Sequence, residues 1–141
     1  MARDDEVKCK YIGNSEEKAL PLAEKKPIPP TPGFARMVAL SVLNGGRGSY
    51  RPSNHFSKQM ADRIFDVFEF EYVIRNGSPI GEGEYSEEHK DHKYTFRGII
   101  DGTEFDAVFS LSAEHEFIKS PLMTLITGCW KTSSGRRIRT V

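Results

Sequence analysis

A β-hairpin narrows the possible folds most. YTFRGII (94–100) and TEFDAVFSL (103–111) flank the dipeptide Asp101-Gly102. Asp-Gly is a favoured two-residue turn, because its central positions take positive φ, which Gly adopts freely and Asp tolerates. Strands joined by so short a turn must pair antiparallel. PLMTLITGCW (121–130) follows, an apolar run of strand length suited to a central strand.

Upstream segments must cover the apolar face of this sheet. FARMVALSVLNGG has helical features: Phe34, Met37, Val38 and Ser41 or Val42 share a face, and Asn44-Gly45 supplies a stop. Its two valines leave a strand through Met37–Leu43 open. GGRGSYRPS reads as a flexible connection, since its glycines match neither a Walker loop nor a dinucleotide fingerprint. In NHFSKQMADR, Asn54 or the preceding Ser53 caps a helix. Phe56, Met60 and Ile64 recur every four residues and form its expected buried stripe. His55, Lys58, Gln59, Asp62 and Arg63 occupy the remaining surface.

DVFEFEYVIRNG fits two periods. Acids alternating with apolar residues suggest a strand, while Phe70, Val73 and Ile74 fit a helix that stops at Asn76-Gly77. Ile80–Tyr85 is a weak strand, EEHKDHK a charged turn and SAEHEFIKSP a loop. The expected class is α+β, with N-terminal helices packed on one face of a three- to five-stranded antiparallel sheet.

PLAEKKPIPPTPG (21–33) holds five of the eight prolines, so it reads as an extended spacer. A boundary follows: residues 1–33 as a flexible tail and linker, residues 34–141 as one domain. With 141 residues, the chain is long enough for one core. No apolar run reaches the roughly 20 residues that span a bilayer, and MARDDEVKCK lacks the apolar stretch of a secretory signal. Cys9 and Cys129 stand far apart in unlike contexts, which disfavours a disulfide framework. A cytoplasmic protein without membrane contact is expected.

The formal net charge is zero but unevenly spread. Residues 34–77 hold six basic and four acidic side chains, 78–120 hold four and ten, and 121–141 hold four and none. The basic blocks can face a phosphate backbone or an acidic partner.

His55 eight residues before Arg63, an apolar segment ending in VIRNG, then YTFRGIIDGTEFDAVFSL and LITGCWK together resemble the RelE/ParE-like toxin superfamily. The likeness is to a branch of small uncharacterised bacterial and phage domains, and it covers residues 54–131. It implies that Phe68–Arg75 is a helix packed on the sheet, and it implies nuclease-toxin ancestry.

The chemistry can be weighed separately. Metal-free RNA cleavage needs a base for the 2′-hydroxyl, cations for the developing phosphorane charge and an acid for the leaving 5′-oxygen. His55 suits proton transfer, since an unperturbed imidazole titrates near about 6.5. Lys58, Arg63 and Arg97 are candidates for charge stabilisation. Thr127 and Lys131 complete the site if the apolar strand lies beside the helix. Arg47, Arg51, Arg136, Arg137 and Arg139 are candidate nucleic-acid or partner contacts, and Trp130 a candidate base stacker. His89, His92 and His115 stand near acids, but the lysines of EEHKDHK oppose metal binding, so no metal or other cofactor is expected. The reading is an RNA-cleaving or translation-blocking domain, a metal-independent endoribonuclease. Its partners are RNA or the ribosome and an antitoxin or immunity protein. The alternative is a non-catalytic phage or plasmid protein that regulates a host complex, its acidic block imitating nucleic acid.

Overall fold

The computed structural model describes residues 27–113 and 120–131. Helix α1 spans Pro32–Leu43, strand β1 Ser49–Pro52, α2 Asn54–Ala61 and α3 Val67–Asn76. Strands β2 (Ser78–Pro79), β3 (Glu84–Ser86), β4 (Asp91–Ile100), β5 (Thr103–Ser112) and β6 (Leu122–Trp130) follow. The class is α+β, with the helices mostly N-terminal.

The sheet is mixed rather than purely antiparallel. Its order is β1-β6-β5-β4-β2, with β3 also pairing β4. The β4–β5 hairpin turns at Asp101-Gly102, and both residues have positive φ, as that turn requires. Strand β6 lies inside the sheet, between β5 and β1. The parallel partner β1 lies in the segment expected to be a flexible connection. Tyr50 pairs with Met123 and Arg51 with Thr124.

Thr31 starts α1 by accepting the Phe34 N–H, with Pro32 in the first turn, where a missing N–H costs nothing. The expected face of α1 is corrected. Ala35, Val38, Ala39 and Val42 are buried, while Met37 is exposed. Helix α1 lies against α3. Residues 27–31 precede α1 within the proline-rich stretch, and the Pro30 carbonyl accepts from the Tyr94 hydroxyl at 2.7 Å.

The 67–76 segment is a helix, as the resemblance implied. A capping box decides its start: Asp66 accepts from the Glu69 N–H at 2.8 Å, and Glu69 accepts from the Asp66 N–H at 3.1 Å. Phe70, Val73 and Ile74 are fully buried, a helical spacing. At the other end Arg36 donates to the carbonyls of Arg75 and Gly77 while lying 5.0 Å from the Phe96 ring centre. One guanidinium thus satisfies the end of α3 and ties it to α1.

Two further expectations are corrected. The α2 stripe is Phe56 with partly buried Met60, and Ile64 is exposed. Arg63 takes φ +59° after the helix, and the buried residue that follows is Phe65. Ile80–Tyr85 is not one strand, because β2 ends at Pro79 and β3 begins at Glu84. The core is aromatic: Phe56 packs on Phe65 and Phe70, Phe65 on Phe105, and Phe105 on Trp130, with centroids 4.8–5.3 Å apart.

Candidate functional site

One sheet face carries Tyr94, Phe96, Phe105, Phe109 and Met123 into the core. The other is polar. Cross-strand register aligns Arg97, Asp106 and Cys129 in one row, and Thr95, Val108 and Thr127 in the next. Adjacent rows on a face lie about 7 Å apart.

Helix α2 is fixed to the outer edge of β6, beyond the end of β1. Strand β1 covers that edge only as far as Leu125, opposite Pro52. From there Ser53 takes over, donating its N–H to the Leu125 carbonyl and its hydroxyl to Ile126, both at 2.9 Å. The register shifts at Val108/Phe109, leaving Ile126 as the extra residue of a bulge. Gln59 continues the edge. Its Nε2 donates to the Gly128 carbonyl at 2.8 Å, and its Oε1 accepts from the Gly128 N–H at 3.1 Å. A single side-chain amide thus takes the place of a neighbouring strand. Thr127 Oγ1 donates to the same Gln59 oxygen at 3.2 Å. Gly128 has no room for a side chain, since a Cβ there would lie 2.4 Å from Phe105 and 2.5 Å from Phe65.

This arrangement orients His55. Phe56 points into the core and Gln59 to the β6 edge. At about 100° per residue, His55 falls beside Gln59 and away from Phe56. It is exposed. The condition set for Thr127 is met, because β6 does lie beside α2.

Arg97 is placed differently. It lies two strands from β6, about 10 Å across the sheet. Its Nε and Nη2 bind the two carboxylate oxygens of Asp106 at 2.7 and 3.1 Å. This hydrogen-bonded ion pair raises the Arg97 pKa further and neutralises its charge locally. Lys131 leans to the same carboxylate, at 3.9 Å. The expected cations therefore divide. Arg97 and Lys131 share Asp106, while Lys58 pairs loosely with Asp62 at 3.6 Å. Arg47, Arg51 and Arg63 are exposed around β1 and α2. Arg136, Arg137, Arg139 and His115 lie outside the described residues.

Trp130 is not available to stack a base. It is 8% exposed, edge-on to Phe105, and its indole N–H donates to the Ile64 carbonyl at 2.8 Å. The EEHKDHK stretch is not all turn, since β4 begins at Asp91 and buries His92 against Tyr85. Burial lowers the His92 pKa despite the raising influence of Asp91. His89 is exposed on the preceding turn. No group of three His, Cys, Asp or Glu side chains among the described residues is arranged to hold a metal ion.

Sequence reasoning left Gln59 on the wet side of α2 and did not single out Asp106. Gln59 had no signal, since its partners lie 68 and 69 residues away along the chain. Asp106 had one: in a two-residue hairpin about Asp101-Gly102, position 106 falls opposite 97.

A family model described as a domain of unknown function, DUF4258, matches residues 53–120. The match runs from the cap of α2 through β5 and leaves out α1, β1 and β6. No curated protein and no solved structure matches. Among the described residues, no helix is long and apolar enough to cross a membrane.

Proposed function

We propose that the chain is a toxin-like domain directed at RNA, free or within the ribosome, with the outer side of α2 and the adjoining polar face as its working surface. The observation that carries this reading is the anchoring of α2 to the β6 edge by Ser53 and Gln59, which leaves His55 exposed one helical turn before Gln59. His55, as the neutral imidazole, takes the proton of the 2′-hydroxyl as that oxygen attacks phosphorus, and water protonates the leaving 5′-oxygen. Arg51, Lys58 and Arg63 hold phosphate, and their exposure leaves them open to it. Thr127 offers a hydroxyl beside Gln59. Arg97, held by Asp106, orders the face and adds little net charge to it. The resemblance of residues 54–131 to RelE/ParE-like domains supports the same reading, and an antitoxin or immunity protein is the partner it implies.

Expression in a bacterial host, with growth and RNA integrity followed, tests it. Wild type should arrest growth and fragment RNA. His55→Ala should lose about 10²–10⁴-fold activity, the usual worth of general acid–base assistance, with its circular dichroism unchanged. Intact RNA under wild-type expression, or a fully active His55→Ala protein, would remove the nuclease reading.

The neutralised Arg97 favours a second reading, a non-catalytic phage or plasmid protein that binds a host protein or nucleic-acid complex through the same surface. Such a protein would arrest growth with RNA intact, and Arg51→Glu would abolish the arrest where His55→Ala would not.

A further inference from the structure

Strand β1 is the outermost strand on the β6 side of the sheet, and all four of its residues are exposed. It is pinned at both ends. The Ser49 N–H donates to the Pro121 carbonyl at 3.0 Å, and the Ser53 N–H to the Leu125 carbonyl at 2.9 Å. Between these points Tyr50 pairs with Met123, so strand alternation sends its side chain to the core side of the edge. There it stays 45% exposed. Arg51 pairs with Thr124 and emerges on the polar face. The other exposed aromatic side chains among the described residues, Phe68 and Tyr72, lie on α3.

Charge singles out the same edge. Residues 32–61 contain no Asp or Glu, and neither does β6. The described arginines fall into two sets. Arg36 is bound to the end of α3, Arg75 pairs with Glu71 and Arg97 with Asp106. Arg47, Arg51 and Arg63 have no such partner among the described residues, and all three are exposed in or next to β1 and α2. Glu84, Glu87, Glu88 and Asp91 lie at the opposite edge of the sheet, in β3, β4 and the turn between them. This separation draws an anion to β1. A second copy of the same edge would bring arginine against arginine.

We propose that the β1 edge takes single-stranded RNA, with Tyr50 stacking on an unpaired base and Arg47 and Arg51 holding the neighbouring phosphates. The proposal rests on the RNA-directed reading above and names its substrate class. A tyrosine ring needs the open face of a base, and in a duplex those faces are already stacked on one another. The strand that carries the ring is ordered beforehand, which spares part of the cost of binding. His55 comes five residues after Tyr50, so their Cα atoms lie within about 18 Å and one short strand of RNA reaches both. Tyr50 thus supplies the stacking surface that the buried Trp130 does not.

The test uses the full chain and a fluorescein-labelled 2′-O-methyl decanucleotide of unstructured sequence, which cannot be cleaved through its 2′-oxygen, followed by fluorescence anisotropy. Wild type should bind the single strand at least about tenfold more tightly than the same strand annealed to its complement. Tyr50→Ser should weaken that binding by about 5–100-fold with unchanged circular dichroism, the usual worth of one base stacked on an aromatic ring. Tyr50→Leu, which keeps the apolar bulk, should weaken it as much, and Tyr50→Phe should keep it. An abasic decamer should bind wild type and Tyr50→Ser equally. Arg51→Gln should weaken strand and duplex alike and flatten the salt dependence. Equal affinity for strand and duplex, or Tyr50→Ser and Tyr50→Leu proteins that bind the strand like wild type, would overturn the proposal and leave the RNA-directed reading standing. So would self-association that Tyr50→Ser abolishes, which would make a second copy the occupant. A wild-type protein that binds neither form would remove the RNA-directed reading and this proposal together.

Discussion

Replacing Gln59 by Ala removes the amide that stands in for a strand at the β6 edge. Three hydrogen bonds go: 2.8 Å to the Gly128 carbonyl, 3.1 Å from the Gly128 N–H and 3.2 Å from Thr127. Gly128 is buried against Phe65 and Phe105, so water reaches its backbone poorly. A typical hydrogen bond contributes about 0.5–1.5 kcal/mol net, and a buried polar group left unpaired costs about 1–3 kcal/mol. The Gly128 N–H is left without an acceptor, while the Gly128 carbonyl and the Thr127 hydroxyl still face each other at 3.2 Å. The expected loss is about 1–3 kcal/mol, above the ~0.5 kcal/mol of an ordinary surface substitution. Equilibrium urea unfolding of Gln59→Ala, with Lys58→Ala as the surface control, measures it. Gln59→Glu is the sharper probe. A carboxylate still accepts from the Gly128 N–H but presents no donor to its carbonyl, so the loss should persist despite near-identical shape. If Gln59→Ala and Gln59→Glu both unfold within ~0.5 kcal/mol of wild type, the edge amide is not what holds α2 to the sheet. The orientation of His55 would then need another cause.

Gly128→Ala should destabilise by about 1–3 kcal/mol in the same assay, because its methyl group would overlap two buried aromatic rings. Asp106→Ala should lower the melting temperature, since it strips a partly buried guanidinium of a two-point partner. Asp106→Asn should lower it less, by keeping one acceptor. The pH profile should carry the mark of His92. Its pKa is lowered in the fold, so the unfolded chain binds a proton first. Stability is therefore full above about pH 6.5 and falls as the pH drops from there through the lowered folded value. His92→Gln should flatten that slope. Tyr94 acts at the other end: burial raises its pKa to about 12, so stability should fall as the pH climbs from 10 towards that value, and Tyr94→Phe should remove the fall.

Local signals in the sequence determined the elements whose causes are local. Asp101-Gly102 fixed the β4–β5 hairpin, because that turn's backbone angles belong to those two residues. Ser53 capped α2, and the apolar run ahead of Cys129 and Trp130 became β6. The capping box of α3 was also written locally, in Asp66 and Glu69, and it outweighed the strand-like composition that follows. The tertiary structure decided the rest. Ser49–Pro52 is a strand only because β6 offers it a parallel edge more than 70 positions along the chain. Gln59 is an edge partner because that edge outlasts β1, and the choice of Phe65 over Ile64 for the core follows the turn at Arg63. Arg97 is legible as a cation, but its partner Asp106 sets its charge state and its reach. Side-chain chemistry is a property of the residue. Whether a group is free, paired or buried depends on what the folded chain brings beside it, and the free energy of that pairing is absent from any short window of sequence.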